Sequence, residues 1–593
     1  MSSPGSARVV ACPLLDSSGW TTTLASFLSL YSRSSVGQNA SLSVAVAAEF
    51  LRRLVDLNQL HSRPSPSFGS APTAASKFPQ TLTFVRIAEA RSDGGKTQGL
   101  YSAERSAAMK KYIRKVLAGL GLISLFFWTL SCAVNPVTGK QEFMLLSETD
   151  EIQLGRQTDN QVVQEYGMYE DARLTAYLSD ICQRLGKISH RPNLTYHFKL
   201  LDVSVVNAFA VPGGYIYLTR GILGSLNSEA ELAGVLGHEI GHIAARHSAR
   251  QYSQAQLAQL GLGVGMIFAE KAPVLSELAQ LGVGMLFLRF SRDNERQADD
   301  LGVEYSSKAG YDASQLASFF ETLERMNPGS DRSGLPSWFS THPSPEDRLQ
   351  AVRIRAKDWQ QKLGIPDLKL NREPYLRAID GLVFGDDPRQ GYVSDHVFYH
   401  PDLRFQFPVP VNWKLKNTPS RVQMVSEKED AILLFSLAAG RSSSEAARSF
   451  VSKTGAAVIR SEATLVNGLP SHRLLSDVQS QGGVIRVISY FIQKESRVFA
   501  FHGFSPRNLF PRYENLFDRH MRQFKELSDP KRINVKPDRI RIRPAGSSDS
   551  LENVLRSFGV PNEKLKEAAL LNGRHLNDMI PANTMLKVVE RGR

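Results

Sequence analysis

Hydrophobic and polar positions divide the chain into stretches of different texture. Residues 1–108 hold 20 serines, a Pro/Ser-rich patch between Ser62 and Ser70 and few apolar periodic runs, a pattern that builds no core. From Ser228 the chain reads SEAELAGVLGHEIGHIAARHSAR. Ser228 followed by Glu231 has the form of a capping box, and Leu232, Val235, Leu236, Ile240 and Ile243 recur at helical spacing, so a helix with one buried stripe starts here. Ser291 can cap a second helix over SRDNERQADDLGVEY. Between the two, Leu257 to Phe268 and Leu275 to Leu288 are apolar and too short to span a bilayer, which predicts a helical hairpin near the site or plain core helices. Tyr215, Tyr217 and Thr219 alternate with Ile216 and Leu218 behind a Gly213-Gly214 turn, the pattern of a strand or hairpin. From His396 to about Leu527 the runs are strand-like, predicting an α+β domain. Arg539 to Val589 reads strand, helix, helix, strand.

Length then sets the scale: 593 residues exclude a single small module. Hydrophobic residues at 42% and charged residues at 22% exclude a wholly disordered chain and a polytopic membrane protein. The three cysteines, Cys12, Cys132 and Cys182, cannot form a disulfide scaffold, and Cys182 reads as a buried core thiol. The net charge of +13 is unevenly placed. Residues 1–108 carry +4, Lys110, Lys111, Arg114 and Lys115 add +4, and the remainder carries only +5, which makes no case for nucleic acid.

Those four cations open MKKYIRKVLAGLGLISLFFWTLSC, a basic segment followed by sixteen uncharged residues, Val116 to Ser131. This is the form of a bacterial signal peptide beginning at Met109, with residues 1–108 as a non-native or disordered extension. A Ser- and Arg-rich organellar transit region is the alternative. Thr129-Leu130-Ser131-Cys132 resembles a lipobox, which implies lipidation at Cys132, although Thr129 stands where Leu is preferred; a short uncleaved anchor is the other reading.

The chemistry lies in the Ser228 helix. His238 and His242 are four residues apart, about 40° around a helix, so both imidazoles reach one metal ion. Glu239 follows the first histidine and is placed to take a proton from water beside the metal. A catalytic zinc needs a third protein ligand. His247 falls nine residues after His238, and in a continuing helix it points away, so it reads as a packing or hydrogen-bonding histidine. Glu295 and Asp299 share one face of the Ser291 helix; Glu295 would complete a His2Glu set and Asp299 would orient a ligand histidine. Spacing alone leaves a solvated acidic face equally open.

Five segments carry a resemblance: Asn135 to Lys140, Asn207 to Leu223 (NAFAVPGGYIYLTRGIL), His238 to His247 (HEIGHIAARH), Ser291 to Asp299 (SRDNERQAD) and Ser340 to Arg348 (STHPSPEDR). Residues 133 to about 350 resemble the membrane-associated HExxH peptidases related to HtpX and the CAAX prenyl proteases, most of all the bacterial envelope branch that includes the beta-barrel assembly-enhancing protease. The resemblance implies one zinc ion per subunit on His238, His242 and Glu295, with Glu239 as general base. It also implies an extended substrate-binding segment at Asn207, Ala208, Phe209 and Gly214, for which a strand buried within the sheet is the equally open alternative, and a place near the site for His342, as oxyanion donor or gate to the zinc, with Arg348 holding its loop. Arg539 to Val589 resembles a LysM module, with Ser548-Asp549-Ser550 and Pro581-Ala582-Asn583 departing from the usual pattern; such modules commonly bind peptidoglycan, and a purely structural module is the equally open alternative.

The expected architecture is multidomain. A signal peptide over 109–132 precedes a mainly α, α+β gluzincin-type zinc peptidase domain (133–360). A linker (361–395), an α+β accessory domain (396–528) and a βααβ LysM-like domain (533–593) follow. The expected function is that of a zinc metalloendopeptidase hydrolysing misfolded or unassembled envelope polypeptides. It would be held at the membrane by a lipid or signal anchor, facing the periplasm as an outer-membrane lipoprotein. A non-hydrolytic envelope scaffold and a mitochondrial quality-control peptidase are the competing readings.

Overall fold

The computed structural model describes residues 132–259, 290–326, 338–343, 347–480 and 483–592, together with Gly119. The expected hairpin over Leu257 to Leu288 lies for the most part outside these residues, as do residues 1–118 and 120–131.

The first region opens with a short antiparallel hairpin, β1 (Cys132–Val134) and β2 (Gln141–Phe143). Two helices follow, α1 (Glu148–Tyr166) and α2 (Ala172–Lys187). A three-stranded sheet comes next, formed by β3 (His197–Leu201), β4 (Ala208–Val211) and β5 (Tyr215–Thr219) in the order β3-β5-β4. Strand β3 is parallel to β5; β4 is antiparallel to it, with Ala208 opposite Leu218. The remaining helices are α3 (Arg220–Ser225), α4 (Glu229–Ala244), α5 (His247–Gln259), α6 (Arg292–Lys308), α7 (Gln315–Met326), α8 (Trp338–Thr341), α9 (Arg348–Leu363) and α10 (Arg372–Ala378).

The Ser228 helix exists as expected, but its environment differs from the sequence reading. All sixteen residues of α4 are buried, not one stripe, because α2, α6, α7, α10, β4 and β5 pack around it. It is the central rod of the domain, and its glycines and alanines let neighbours approach from every side.

The segment 361–395 is not a linker. Helix α9 runs to Leu363, and Tyr375, Leu376, Ile379 and Leu382 are buried in the same core as Leu232, Val235 and Leu236 of α4. Their helical spacing is a core stripe, and the Tyr375 hydroxyl donates to the Leu223 carbonyl at 2.6 Å. The next sheet starts at Tyr392, a few residues before His396.

The accessory region is α+β. Strands β6 (Tyr392–Ser394), β7 (Val397–His400), β8 (Phe405–Pro408), β9 (Lys414–Thr418), β10 (Arg421–Val425) and β11 (Ile432–Ala438) precede α11 (Ser443–Thr454). Four long strands follow: β12 (Ala457–Val466), β13 (Leu469–Ser480), β14 (Gly483–Lys494) and β15 (Arg497–Pro506). Then come α12 (Phe510–Met521) and β16 (Lys525–Glu526). They form a seven-stranded antiparallel sheet, β12-β13-β14-β15-β11-β10-β9, and a four-stranded one, β16-β8-β7-β6. On β14, Ile488, Tyr490 and Ile492 join the core under α12, while Phe491 packs on the other face with Ala446 and Ala447 of α11.

After a short helix α13 (Pro530–Ile533) the C-terminal module follows the expected strand-helix-helix-strand order. Strand β17 (Arg539–Pro544) pairs antiparallel with β20 (Met585–Glu590). Between them lie β18 (Asp549–Ser550), α14 (Leu551–Ser557), α15 (Leu565–Leu571) and β19 (Met579–Ile580). Leu586 and Val588 face the module helices, whereas Ile540 belongs to the core of the first region.

Candidate metal centre

Helix α4 begins where its polar signal places it. The Ser228 hydroxyl accepts the Glu231 N–H at 3.1 Å. The Glu231 carboxylate accepts the Asn227 N–H at 2.6 Å, so it secures the residue before the cap. Helix α6 is capped by Ser291, which accepts the Asn294 N–H at 3.2 Å. The two helices pack unusually close because glycines meet at the crossing. A Cβ built on Gly302 would lie 2.9 Å from the His238 backbone nitrogen, and one on Gly237 would lie 2.9 Å from the Gly302 carbonyl. That approach brings the α4 histidines against the α6 carboxylates.

His238, His242, Glu295 and His342 each offer a ligand atom, and these atoms lie within 4.8 Å of one another. The Nε2 atoms of His238 and His242 are 3.1 Å apart, and the Glu295 carboxylate oxygens stand 3.5 and 3.4 Å from them. The far nitrogens are tied down. His238 Nδ1–H donates to Asp299 Oδ1 at 2.9 Å. His247 Nε2–H donates to Gln297 Oε1 at 2.9 Å, which leaves His247 Nδ1 free to accept His242 Nδ1–H at 2.9 Å. Both hydrogen-bond chains present an Nε2 lone pair to the centre. Sequence reading assigned His247 only a packing or hydrogen-bonding role. A continuing helix would have turned it away, but α4 ends at Ala244 and Arg246 adopts φ 56°, which restarts the chain with His247 facing back to His242. No local sequence signal announces a left-handed arginine.

The charges suit a metal. Burial lowers the pKa of His238 well below its usual value and that of His242 to about 3, so both imidazoles are neutral donors. Burial acts to raise the Glu295 pKa, but His342, His242 and His238 outweigh it and hold the carboxyl well below the carboxylate range. Asp299 is pushed up to about 6 by burial, against the pull of Arg348. The Arg348 Nη2 donates to Asp299 at 2.7 Å, and its guanidinium lies 3.7 Å over the Phe320 ring. Glu239 is fully buried, burial pushes it up to about 7, and neither carboxylate oxygen has a hydrogen-bond partner. Two orphaned buried oxygens beside three convergent donors are what a site built for a metal and a water leaves behind.

His342 follows α8, with its ring stacked on Trp338 at 4.4 Å. Its Nδ1 lies 3.1 Å from Glu295 and its Nε2 3.7 Å from Glu239. Burial acts to lower its pKa, but Glu295 and Glu239 outweigh it and raise it. Asn207, Ala208 and Phe209 lead into and form β4, one of the two edge strands of its sheet, and Gly214 takes φ 93° in the turn before β5; all four are buried. The Trp338 N–H donates to the Val206 carbonyl at 3.1 Å, joining this segment to the short helix that carries His342. Cys182 is buried as expected, and burial pushes its thiol up to about 12.

Residues 172–356 match peptidase family M48. The match spans α2 to α9 and contains all of the clustered donors. The chain is 30% identical over 231 residues to the beta-barrel assembly-enhancing protease of Escherichia coli K12, covering 37% of this chain and 47% of that protein. It is 27% identical over 284 residues to human mitochondrial metalloendopeptidase OMA1, covering 43% and 53%. With the OMA1 metalloendopeptidase of Schizosaccharomyces pombe it shares 28% over 245 residues, covering 40% and 68%. This chain thus spans about half the length of the first two relatives. Among solved structures, cyanobacterial PsbP from Synechocystis sp. PCC 6803 is similar over 22% of this chain and 91% of its own, at 13% identity with a TM-score of 0.20. The expectation of a zinc metallopeptidase is borne out: the M48 segment carries a buried His/Glu group able to hold the ion.

Proposed function

We propose that this chain is a zinc-dependent endopeptidase of the cell envelope that hydrolyses misfolded or unassembled envelope proteins. The observation that carries the reading is Glu239, a buried carboxylate with no hydrogen-bond partner beside His238, His242 and Glu295. These last three are the proposed zinc ligands. Bound there, zinc supplies Lewis-acid polarisation of the scissile carbonyl and acidification of water. Glu239, with its pKa near neutrality, takes the proton of the attacking water and delivers it to the leaving amine. Asp299 and His247 hold the ligand imidazoles in the tautomers that present Nε2. His342 Nε2 makes no hydrogen bond and lies 3.7 Å from Glu239 Oε1, so it is the nearby donor to a developing oxyanion or the gate to the ion. Strand β4, free on one edge among the described residues, suits main-chain pairing with an extended substrate, with Asn207, Ala208, Phe209 and Gly214 as the contact segment.

Cys132 is the proposed lipidation site, in a leader that directs the chain to the outer membrane facing the periplasm, and the C-terminal module is proposed as LysM-like, with peptidoglycan as its partner. Similarity to the mitochondrial OMA1 peptidases supports a second reading, a mitochondrial quality-control peptidase with residues 1–108 as its transit region. Intact-mass measurement of the mature chain separates the two: a diacylated N-terminal cysteine at 132 sinks the mitochondrial one, and an unmodified start elsewhere sinks the lipoprotein one. For the chemistry, casein cleavage is expected to stop with a chelator and return with zinc. Glu239→Gln is expected to keep one zinc per chain while lowering the rate by about 100-fold or more. Unchanged cleavage by Glu239→Gln removes the assignment.

A further inference from the structure

Strand β17 reads Arg539-Ile540-Arg541-Ile542-Arg543, and its two-residue period sends isoleucines to one face and arginines to the other. The isoleucine face is committed. Ile540 is fully buried in the peptidase core, Ile542 packs against it, and Lys587 on β20 reaches the Gly224 and Leu226 carbonyls at 2.7 and 2.8 Å. The arginine face lines a cleft of about 1010 Å³ between β17, the segment 535–538 and helix α15.

Cations outnumber carboxylates in this cleft. Some are engaged: Arg539 donates to the Gly381 carbonyl, Arg541 pairs with Glu590 at 2.7 Å and Lys564 pairs with Glu567 at 2.5 Å. Lys536, Arg543 and Arg591 also line it and form no ion pair among the described residues. Phe558, Val560, Leu571 and Val588 supply an apolar wall. Arg543 on the strand and Lys536 and Arg591 on the flanking segments are exposed, and together they give this concave surface an excess of positive charge that favours an anionic ligand. Arg543 is the arginine of the row whose side chain forms neither an ion pair nor a carbonyl hydrogen bond among the described residues, and its guanidinium fork matches phosphate oxygens. An uncharged glycan would leave this charge unanswered.

We propose that the cleft is a binding site for a phosphate-bearing ligand, its phosphates on Lys536, Arg543 and Arg591 and its carbon skeleton along Phe558 and Val560. Because the opposite face of the same two-stranded sheet is packed on the peptidase core, a ligand bound here is held at a fixed place relative to the protease.

The test uses the full chain with two phosphate probes: inorganic pyrophosphate by calorimetry, and sedimentation with phosphatidylcholine vesicles with or without phosphatidylglycerol. A neutral N-acetylglucosamine oligomer is the comparison. Binding to at least one phosphate probe is expected, weakening as salt rises. The triple variant Lys536→Glu/Arg543→Glu/Arg591→Glu is expected to lose about tenfold or more of that affinity. Casein cleavage and melting temperature unchanged in this variant show that it is folded, and the milder Lys536→Gln/Arg543→Gln/Arg591→Gln is expected to lose affinity in the same direction. Pyrophosphate binding identifies a soluble phosphate ligand, and binding only to phosphatidylglycerol vesicles identifies a lipid headgroup. No binding to either, binding to the neutral oligomer alone, or equal binding by the triple variant overturns the proposal.

Discussion

At the scale of single residues, the centre depends on groups that never reach it. His238 owes the free lone pair on Nε2 to Asp299, and Asp299 is in turn held by Arg348. Asp299→Ala is therefore expected to leave the helices intact and to weaken zinc binding by about 10–100-fold, read by competition with a chromophoric chelator. An unchanged affinity would mean that Asp299 serves packing alone. The contrast between Asp299 and His247 shows what a sequence can disclose at this scale. Glu295 and Asp299 lie four apart on one helix, so their common face follows from helical geometry. The return of His247 onto His242 depends on a left-handed Arg246. That conformation is imposed from outside: the Arg246 side chain bonds to Glu151 and to the Leu146 carbonyl, contacts with residues about a hundred positions away.

At the scale of elements, the site is a crossing of α4 and α6, and its tolerance is set by glycine. Gly237 and Gly302 sit where a side chain would strike backbone, which cannot rotate aside. Gly302→Val is expected to force the helices apart, costing about 1–3 kcal/mol of stability through overpacking and lowering the zinc content after purification. Denaturant titration with metal analysis of the same preparation checks both together; a variant that is less stable yet fully metallated would show that the crossing can shift without moving the ligands. Both helix starts were legible because Ser228 and Ser291 are local caps. The all-round burial of α4 and the core role of α10 were not, since each is decided by which elements pack around it. Strand β12 carries no apolar alternation for a related reason: it lies at a sheet edge with most of its residues exposed.

At the scale of the whole molecule, the peptidase region and the C-terminal module share a core, and this changes what the module is for. Lys587 comes from the last strand, yet its ammonium is fully buried and is spent on the carbonyls of Gly224 and Leu226, in the turn that leads into the catalytic helix. Burial, and then the nearby Arg372, pull its pKa well below the lysine value against the opposing pull of Glu231. Lys587→Met is expected to strand both carbonyls and to leave Arg372 as the cation acting on buried Glu231, lowering stability by about 2–4 kcal/mol in denaturant titration. Deleting residues 533–593 removes Ile540 as well and opens a hole in the core that supports α4. The truncated chain is expected to lose cooperative unfolding and zinc retention, even though none of the deleted residues approaches the ion. A truncated chain that melts like the intact one and keeps its zinc would make the module an appendage. A loss of both would make it a brace on the catalytic helix, so that a ligand in the arginine cleft would bear on the protease through the sheet they share.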